Sequence, residues 1–405
     1  METIKVIEPD LSTVDSEIVD ESRHLFKEFE YIKLKDVSRQ NKAYLVLFFR
    51  QPFEVEEAID KIDNQLFLLM QQGLVKPLII MITEAWDLFN TYVWDKNRLD
   101  LTPDFGDIPY SKFIAHFTSR AVPEENITWL VMNNIHKQQI KNLQDRGYKI
   151  KTRFIQYCYY LQRMKAVASR TKLEKRSFTK YYSCLCRGSV YNHRYGMVYN
   201  LWANNLLHKG NVSCEPYREL EESKGSNWVI DNQTTEDFMQ NFDDWKARKD
   251  KFASALPLTY DNKVNQHWLF DYDERYIFDN SFLWIPTESH LGHDGVIISE
   301  KTWKAIAYGS PFCINGEKNS LQYLKEMGFK TFGDFWDESY DDDDKPARIK
   351  KITEIVKDLC EMEISEINSM YQKMLPILKH NQKVMIENTQ HTDLIKELME
   401  IHDKQ

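Results

Sequence analysis

The sequence predicts an α/β protein built from two Rossmann-like domains and a helical C-terminal segment. Continuous apolar runs of strand length alternate with stretches of helical periodicity, which is typical of parallel strands covered by helices on both faces. The chain has 405 residues, more than one ordinary hydrophobic core accommodates. We therefore expect an N-terminal domain over residues 1–170, a C-terminal domain over 171–345 and a helical tail over 346–405 that packs across both.

The N-terminal half begins this alternation. A strand is predicted at Ala43–Phe49 (AYLVLFF), and the apolar series that follows at helical spacing ends at Gly73. PLIIMIT and ITWLVMNN are predicted as further strands of the same kind. A helix ending at Gly147 and the segment YKIKTRFIQYCYY continue the alternation.

A second series begins with the predicted strand YYSCLCR, Tyr181–Arg187. The helix after it, YGMVYNLWANNLLHKG, is predicted to end with Gly210 as the residue that follows its C-cap. YIFDNSFLWIPTES is predicted as the next strand. Ser299 can then cap a helix that Gly309 ends, and PFCI forms the buried strand after it.

Composition excludes several classes of protein. The net charge is −9, 42% of the residues are hydrophobic, and no apolar run is long enough to cross a bilayer, so we expect no membrane insertion. The first residues are acidic and do not resemble a signal peptide, which predicts a cytoplasmic location, the host cytoplasm if the protein is viral. The acidic run DDDD before the tail is expected to be a solvated loop rather than a metal site.

Two local features leave alternatives open. Cys184 and Cys186 form a C-x-C pair without a second pair, so the six cysteines are predicted to be buried thiols, with a metal site or disulfide as the alternative. The stretch Lys149–Arg194 is rich in Lys and Arg and contains one acid, Glu174. It is either a solvated basic helix and linker or a surface for phosphates.

The chemistry of the sequence is concentrated at Ser299-Glu300-Lys301. A helix N-terminus attracts anions, a lysine there suits a phosphate, and a glutamate can accept hydrogen bonds from the two hydroxyls of a ribose. The pair therefore suits the ribose and diphosphate of a nucleotide. Alternatively, Glu300 is a capping-box acid and Lys301 a surface residue.

The motif also carries a resemblance to known proteins. Thr287-Glu288-Ser289 followed by Ser299-Glu300-Lys301 resembles the donor signature of GT-B-type glycosyltransferases of the α1,3-fucosyltransferase and exostosin-like group. SEKTWKAI, GSPF and YLKEMGFKTF are similar to phage-encoded glycosyltransferase-like proteins. The segment CLCRGSVYNHRYGMVYNLWANNLL resembles the arginine-bearing loop and helix of the same group, in which Arg187 and Arg194 would face the donor diphosphate.

The resemblance implies a glycosyltransferase that moves a sugar from a nucleotide-sugar donor to an acceptor hydroxyl. Donor binding then falls to Arg187, Arg194, Glu288, Ser299, Glu300 and Lys301. The nucleotide-sugar is a co-substrate, and neither a further cofactor nor a metal is implied. The acceptor is a hydroxymethylated base in phage DNA or a surface glycan, and the basic residues of 149–180 could follow the phosphates of DNA.

A catalytic base is the least defined part of this interpretation. Glu84 and Asp87 follow the strand PLIIMIT, and the ends of parallel strands face the ligand crevice, so they are the candidates for deprotonating the acceptor. Asp271-Tyr272-Asp273 has the D-x-D pattern of a metal motif, but no metal role is expected of it. The loop with His290 and His293 is expected to be solvated, with a contact to the donor as the alternative. Without a base, the chain would be a non-catalytic nucleotide- or DNA-binding protein on the same scaffold.

Overall fold

The structure is a computed structural model in which the chain forms a mixed α/β fold of helices and parallel sheets. It describes residues 5–7, 29–40, 42–49, 62, 64–81, 117–123, 126–131, 144–145, 151–154, 158–174, 176–186, 192–215, 242–260, 275–288, 296 and 298–403. The chain divides into two compact units, an N-terminal unit of Met1–Tyr159 with Thr389–Gln405 and a C-terminal unit of Tyr160–Asn388. The predicted tail over 346–405 is therefore shared between the two units.

The N-terminal unit contains a six-stranded parallel sheet. Its strands are β1 Lys5–Ile7, β2 Glu30–Ile32, β3 Ala43–Phe49, β4 Val75–Met81, β5 Thr128–Val131 and β6 Lys151–Phe154, in the order β2-β1-β3-β4-β5-β6. The register of β3 and β4 runs from Ala43 opposite Val75 to Phe49 opposite Met81. Val75 and Leu78 are buried, as strands covered on both faces require. The predicted strand at Ala43–Phe49 is confirmed.

Helices α1 (Asn64–Gln71) and α10 (Gln390–Asp403) belong to the same unit. Helix α1 buries Leu66, Phe67 and Met70. The turn after its last residue contains Gly73, which has the left-handed φ of 68°. This conformation allows the backbone N–H of the next residue to reach back 2.9 Å to the carbonyl oxygen of Leu69. The predicted helix stop at Gly73 is therefore confirmed.

The C-terminal unit has a smaller parallel sheet. Its strands are β7 Lys180–Cys186, β8 Gly210–Cys214 and β9 Ser281–Trp284, in the order β8-β7-β9. Parallel bridges join Phe312 to Trp284 and Asn315 to Thr287, so residues 312–315 continue the sheet beyond β9. The helices of this unit are α2 Tyr159–Arg170, α3 Asn192–Ala203, α4 Phe242–Ala253, α5 Arg275–Asn280, α6 Glu300–Tyr308, α7 Ser320–Glu326, α8 Lys345–Glu361 and α9 Ile364–Glu387.

Helix α6 has the ends that its sequence predicts. Ser299 is the N-cap, and its side-chain oxygen accepts a hydrogen bond from the backbone N–H of Lys301. Gly309 ends the helix in the left-handed conformation, with φ 67°. Every residue of α6 except Lys301 is buried, so the helix lies inside the unit rather than on its surface.

Two sequence predictions for this unit are wrong. Gly210 does not follow a helix C-cap: it has φ −121° and begins β8, and the chain leaves α3 at Asn205, which takes the left-handed φ of 58°. Gly210 is required because a Cβ atom there would lie 2.4 Å from the ring of Tyr182. Residues 276–280 of the predicted strand belong to helix α5, which Arg275 and Asp279 stabilise through an i,i+4 ion pair at 3.0 Å.

The basic stretch and the acidic run both contribute internal contacts. Arg176 is 7% exposed, donates to the carbonyl oxygens of Tyr308 and Gly309 at the end of α6, and pairs with Asp279 at 3.0 Å. Asp341 is not solvated as predicted: it is 9% exposed, and its carboxylate accepts from the backbone N–H groups of Leu321 and Gln322 in α7. Both residues are buried because a helix terminus leaves backbone groups without a partner inside the helix: Arg176 binds carbonyl oxygens at the C-terminus of α6, and Asp341 binds N–H groups at the N-terminus of α7.

All six cysteines are buried thiols, which confirms that prediction. Among the described residues, no helix combines the length and the apolar composition needed to cross a membrane.

Candidate functional site

The sheet of the C-terminal unit has a topological switch point between β7 and β9. From β7 the chain continues to β8 on one side, and then returns to β9 and residues 312–315 on the other side. In open parallel sheets, ligands bind outside the carboxyl ends of the strands where the order reverses. The chain leaving β7 leads to α3 with Arg194, and the chain leaving β9 leads to Glu288.

Glu300 and Lys301 form an ion pair at the N-terminus of α6. The Nζ atom of Lys301 lies 2.7 Å from Oε1 of Glu300 and donates at 3.2 Å to the Ser299 hydroxyl. The side chain of Glu300 is 7% exposed and that of Lys301 is 20% exposed. Ionised groups at such low exposure need close partners, and the lysine supplies one. The pair is thus neither a solvated surface pair nor fully enclosed.

The charge of Glu300 is fixed by its neighbours. Burial alone would raise its pKa, but the ammonium and hydrogen bond of Lys301, reinforced by Lys304, lower the pKa to about 2. Lys304 lies one helical turn further along α6 and is 6% exposed. Glu300 is therefore a carboxylate at neutral pH, an acceptor for hydroxyl donors.

Indole groups hold this helix terminus in place. Trp284 Nε1 donates at 3.1 Å to the carbonyl oxygen of Lys301, and Trp303 Nε1 donates at 3.1 Å to that of Ile298. Trp303 is fully buried and packs on Phe329 with ring centroids 5.5 Å apart. Side chains supported in this way keep a defined geometry before any ligand arrives.

Glu288 lies between the two helix termini of the site. Its side chain is fully buried, and its carboxylate accepts from the backbone N–H of Ser299 at 3.1 Å, from the Ser299 hydroxyl and from the Thr302 hydroxyl at 2.6 Å. Its backbone oxygen accepts from Nε2 of His193 at 2.6 Å and from Nε of Arg194 at 3.3 Å. Residue 288 thus connects the first turn of α3 with the first turn of α6.

The cations Arg194 and Lys301 also act on the thiol at the end of β7. Sγ of Cys186 lies 3.6 Å from Sγ of Cys184 and 3.0 Å from the hydroxyl oxygen of Thr287. The hydrogen bond with Cys184 lowers the pKa of the Cys186 thiol, burial opposes this effect, and Thr287, Arg194 and Lys301 reinforce it. Both thiols are buried, so they pack beneath the site and are not exposed in it.

The structure brings together five of the six predicted donor residues, and the contacts above link them: Arg194, Glu288, Ser299, Glu300 and Lys301. Arg187 and the candidate bases Glu84 and Asp87 lie outside the described residues. The same holds for His290, His293 and the D-x-D acids Asp271 and Asp273.

Four of these donor residues are charged, namely Arg194, Glu288, Glu300 and Lys301, and with the N-cap Ser299 the site holds five of the predicted six. Sequence reasoning missed Lys304, His193 and Thr302, which are buried against the same residues. Lys304 could have been found from its i,i+4 spacing to Glu300. His193 and Thr302 act through contacts across 95 and 14 residues, which no local pattern indicates.

Comparison of the chain with models of protein families, with curated proteins and with solved structures found no match. The chemistry of the site therefore rests on its own geometry: two helix N-termini, a buried carboxylate, and cationic side chains at the switch point of a parallel sheet.

Proposed function

We propose that the chain is a glycosyltransferase of GT-B type, with two Rossmann-like domains, that transfers a sugar from a nucleotide-sugar donor to an acceptor hydroxyl. The observation that carries this proposal is the placement of Arg194, Glu300 and Lys301 at the carboxyl ends of β7 and β9. Cations and helix N-termini at such a position suit a diphosphate, and an ionised glutamate suits ribose hydroxyls.

Each residue has a defined part in the proposed reaction. Arg194 and Lys301, with Arg187, offset the negative charge that grows on the nucleoside diphosphate as the sugar leaves. Glu300 accepts hydrogen bonds from the ribose hydroxyls. Its partner Lys301 is the more exposed member of the pair, so its ammonium can turn towards a phosphate while Lys304 still offsets the charge of Glu300. Glu84 or Asp87 takes the proton of the acceptor.

The remaining parts of the proposal follow from the same interpretation. The N-terminal domain binds the acceptor, which is a hydroxymethylated base in DNA or a glycan. The protein works in the cytoplasm. If the base is missing, the same donor site would belong to a binding protein that holds the nucleotide without turnover.

A thermal-shift screen of the full chain against UDP-, GDP-, ADP-, CMP- and dTDP-sugars tests the donor site. A nucleotide at 100 times its Kd should stabilise the folded chain by about 2.7 kcal/mol, and the shift should grow with concentration. The double variant Glu300→Ala with Lys301→Ala should lose this shift. The matched control is Lys350→Ala with Glu354→Ala, an exposed i,i+4 pair at 3.9 Å on α8, which should keep it.

Release of the free nucleotide, a nucleoside diphosphate or, from a CMP-sugar, CMP, then separates enzyme from binding protein. A transferase should release it faster when an acceptor is added, and Glu84→Gln or Asp87→Asn should slow this release without weakening donor binding. Absence of a shift with every nucleotide-sugar would overturn the proposal. A shift without acceptor-dependent release would favour the non-catalytic binding protein.

A further inference from the structure

The carboxylate of Glu288 is committed to protein partners. Oε2 accepts from the backbone N–H of Ser299 at 3.1 Å and from its hydroxyl, and Oε1 accepts from the Thr302 hydroxyl at 2.6 Å. The side chain is fully buried. Charge-assisted hydrogen bonds of this kind are stronger than neutral ones, and they all go to the first turn of α6. Glu288 thus holds this turn from outside the helix.

The surroundings of Glu288 restrict its movement further. A Cβ atom on Gly316 would lie 3.0 Å from Cγ of Glu288, so the glycine leaves just enough room for the glutamate side chain. The backbone N–H of Glu288 donates at 3.0 Å to the carbonyl oxygen of Asn315. Its backbone oxygen accepts from His193 and Arg194. Elements on three sides therefore fix one residue.

We propose that Glu288 is a positioning residue for the donor site, whose carboxylate sets Glu300 and Lys301 through the N-terminus of α6 while its backbone oxygen sets Arg194. This inference rests on the proposed donor site and adds to it the residue that aligns its two halves. We assign Glu288 no direct contact with the donor, because its side chain is fully buried and its carboxylate already accepts three hydrogen bonds from the protein.

Protonation of Glu288 should disturb this alignment. Burial raises the pKa of Glu288, while Lys301, Ser299 and Thr302 oppose that effect and Glu300 adds to it. His193 and Arg194 face the same residue from α3. A protonated carboxyl group must donate one hydrogen bond, so at least one of the two hydroxyls would have to reverse its own. Nucleotide binding should therefore weaken on the acid side.

The test measures the Kd of the nucleotide-sugar that gives the largest thermal shift, by calorimetry between pH 5 and pH 8. Glu288→Gln keeps the shape of the side chain but removes the charge. Thr302→Val is a milder variant that removes only the hydrogen bond at 2.6 Å. The matched control is Asp341→Asn, which alters another buried carboxylate that accepts from a helix N-terminus, that of α7.

We expect Glu288→Gln to weaken binding on the order of tenfold or more at pH 8 and to remove the acid-side weakening. Thr302→Val should weaken binding in the same direction and by less. Asp341→Asn should lower the melting temperature while its Kd follows that of the wild type at every pH. If Glu288→Gln fails to fold, Thr302→Val carries the test alone.

The outcomes distinguish the two proposals. If the wild type binds and both site variants bind equally well, or if Glu288→Gln keeps the acid-side weakening, the positioning role of Glu288 is overturned. If the wild type binds none of the nucleotide-sugars at any pH, the donor site itself is overturned, and with it the positioning role.

Discussion

Replacing Glu300 by glutamine is expected to remove an acid-sensitive contribution to the stability of the fold. The side chain of Glu300 is 7% exposed, and its carboxylate lies 2.7 Å from the ammonium of Lys301. Its pKa in the folded chain is about 2, against 4.5 for an unperturbed glutamate. The unfolded chain therefore binds more protons than the folded chain between about pH 2 and pH 4.5. Glutamine has no such proton to bind.

The size of the effect follows from the two pKa values. The difference between 4.5 and about 2 corresponds to about 3 kcal/mol, at about 1.4 kcal/mol for each pKa unit. Because the folded pKa is the lower one, this contribution is complete well above pH 4.5 and is lost as the pH falls towards 2. Integration gives a loss of about 0.8 kcal/mol by pH 4 and about 2 kcal/mol by pH 3.

Urea unfolding at pH 7 and pH 4, followed by tryptophan fluorescence, measures this loss. Trp284 and Trp303 donate hydrogen bonds beside the ion pair and are buried, so their emission reports this part of the fold. The wild type should lose about 0.8 kcal/mol more than Glu300→Gln between the two pH values. Glu354→Gln, which alters an exposed pair, should lose as much as the wild type.

An equal loss in the wild type and in Glu300→Gln, within about 0.3 kcal/mol, would refute the reasoning. It would mean that the glutamate titrates alike in the folded and unfolded chains, and hence that Lys301 does not hold it as an ion pair.

Three further predictions concern the packing of buried residues. Gly210→Ala should lower the free energy of unfolding by about 1–3 kcal/mol, because the new methyl group would clash with the ring of Tyr182. An unchanged thermal midpoint would contradict the close approach of the Gly210 backbone to this ring. Arg348→Met should lower the free energy of unfolding by about 3 kcal/mol, because the buried guanidinium donates to the carbonyl oxygens of Tyr340 and Asp343 at 3.1 and 2.8 Å. It should also speed proteolysis of residues 333–343. A variant as resistant to protease as the wild type would argue against this role. All six cysteines should resist a thiol reagent in the native chain and react after denaturation, because each is buried; rapid native labelling would show otherwise.

Local signals in the sequence were sufficient where two of them agreed. The strand Ala43–Phe49 is a continuous apolar run, and the structure gives it the same bounds. Helix α6 has a capping serine before it and a glycine after it, and both Ser299 and Gly309 take the predicted conformations. Caps and turns depend on residues within one or two helical turns, so the sequence contains the whole of the interaction.

Local signals failed where a distant residue decided the conformation. Gly210 resembles a helix stop, but its absent side chain makes room for Tyr182, and Asn205 ends the helix instead. Residues 276–280 are apolar enough for a strand, yet a short apolar run fits a buried helix equally well. Periodicity alone does not separate the two.

The sequence by itself therefore determined the α/β alternation, the ends of α6 and the residue types Glu300 and Lys301 at its N-terminus. Only the tertiary structure decided that Arg194 reaches Glu288 across 94 residues and that Glu288 holds Ser299 across 11. It also decided that Arg176 donates a hydrogen bond to the carbonyl oxygen of Gly309 at the end of α6, across 133 residues. The physical reason is that burial and charge pairing depend on which strands become neighbours, and the order of the strands in a sheet is a property of the whole unit.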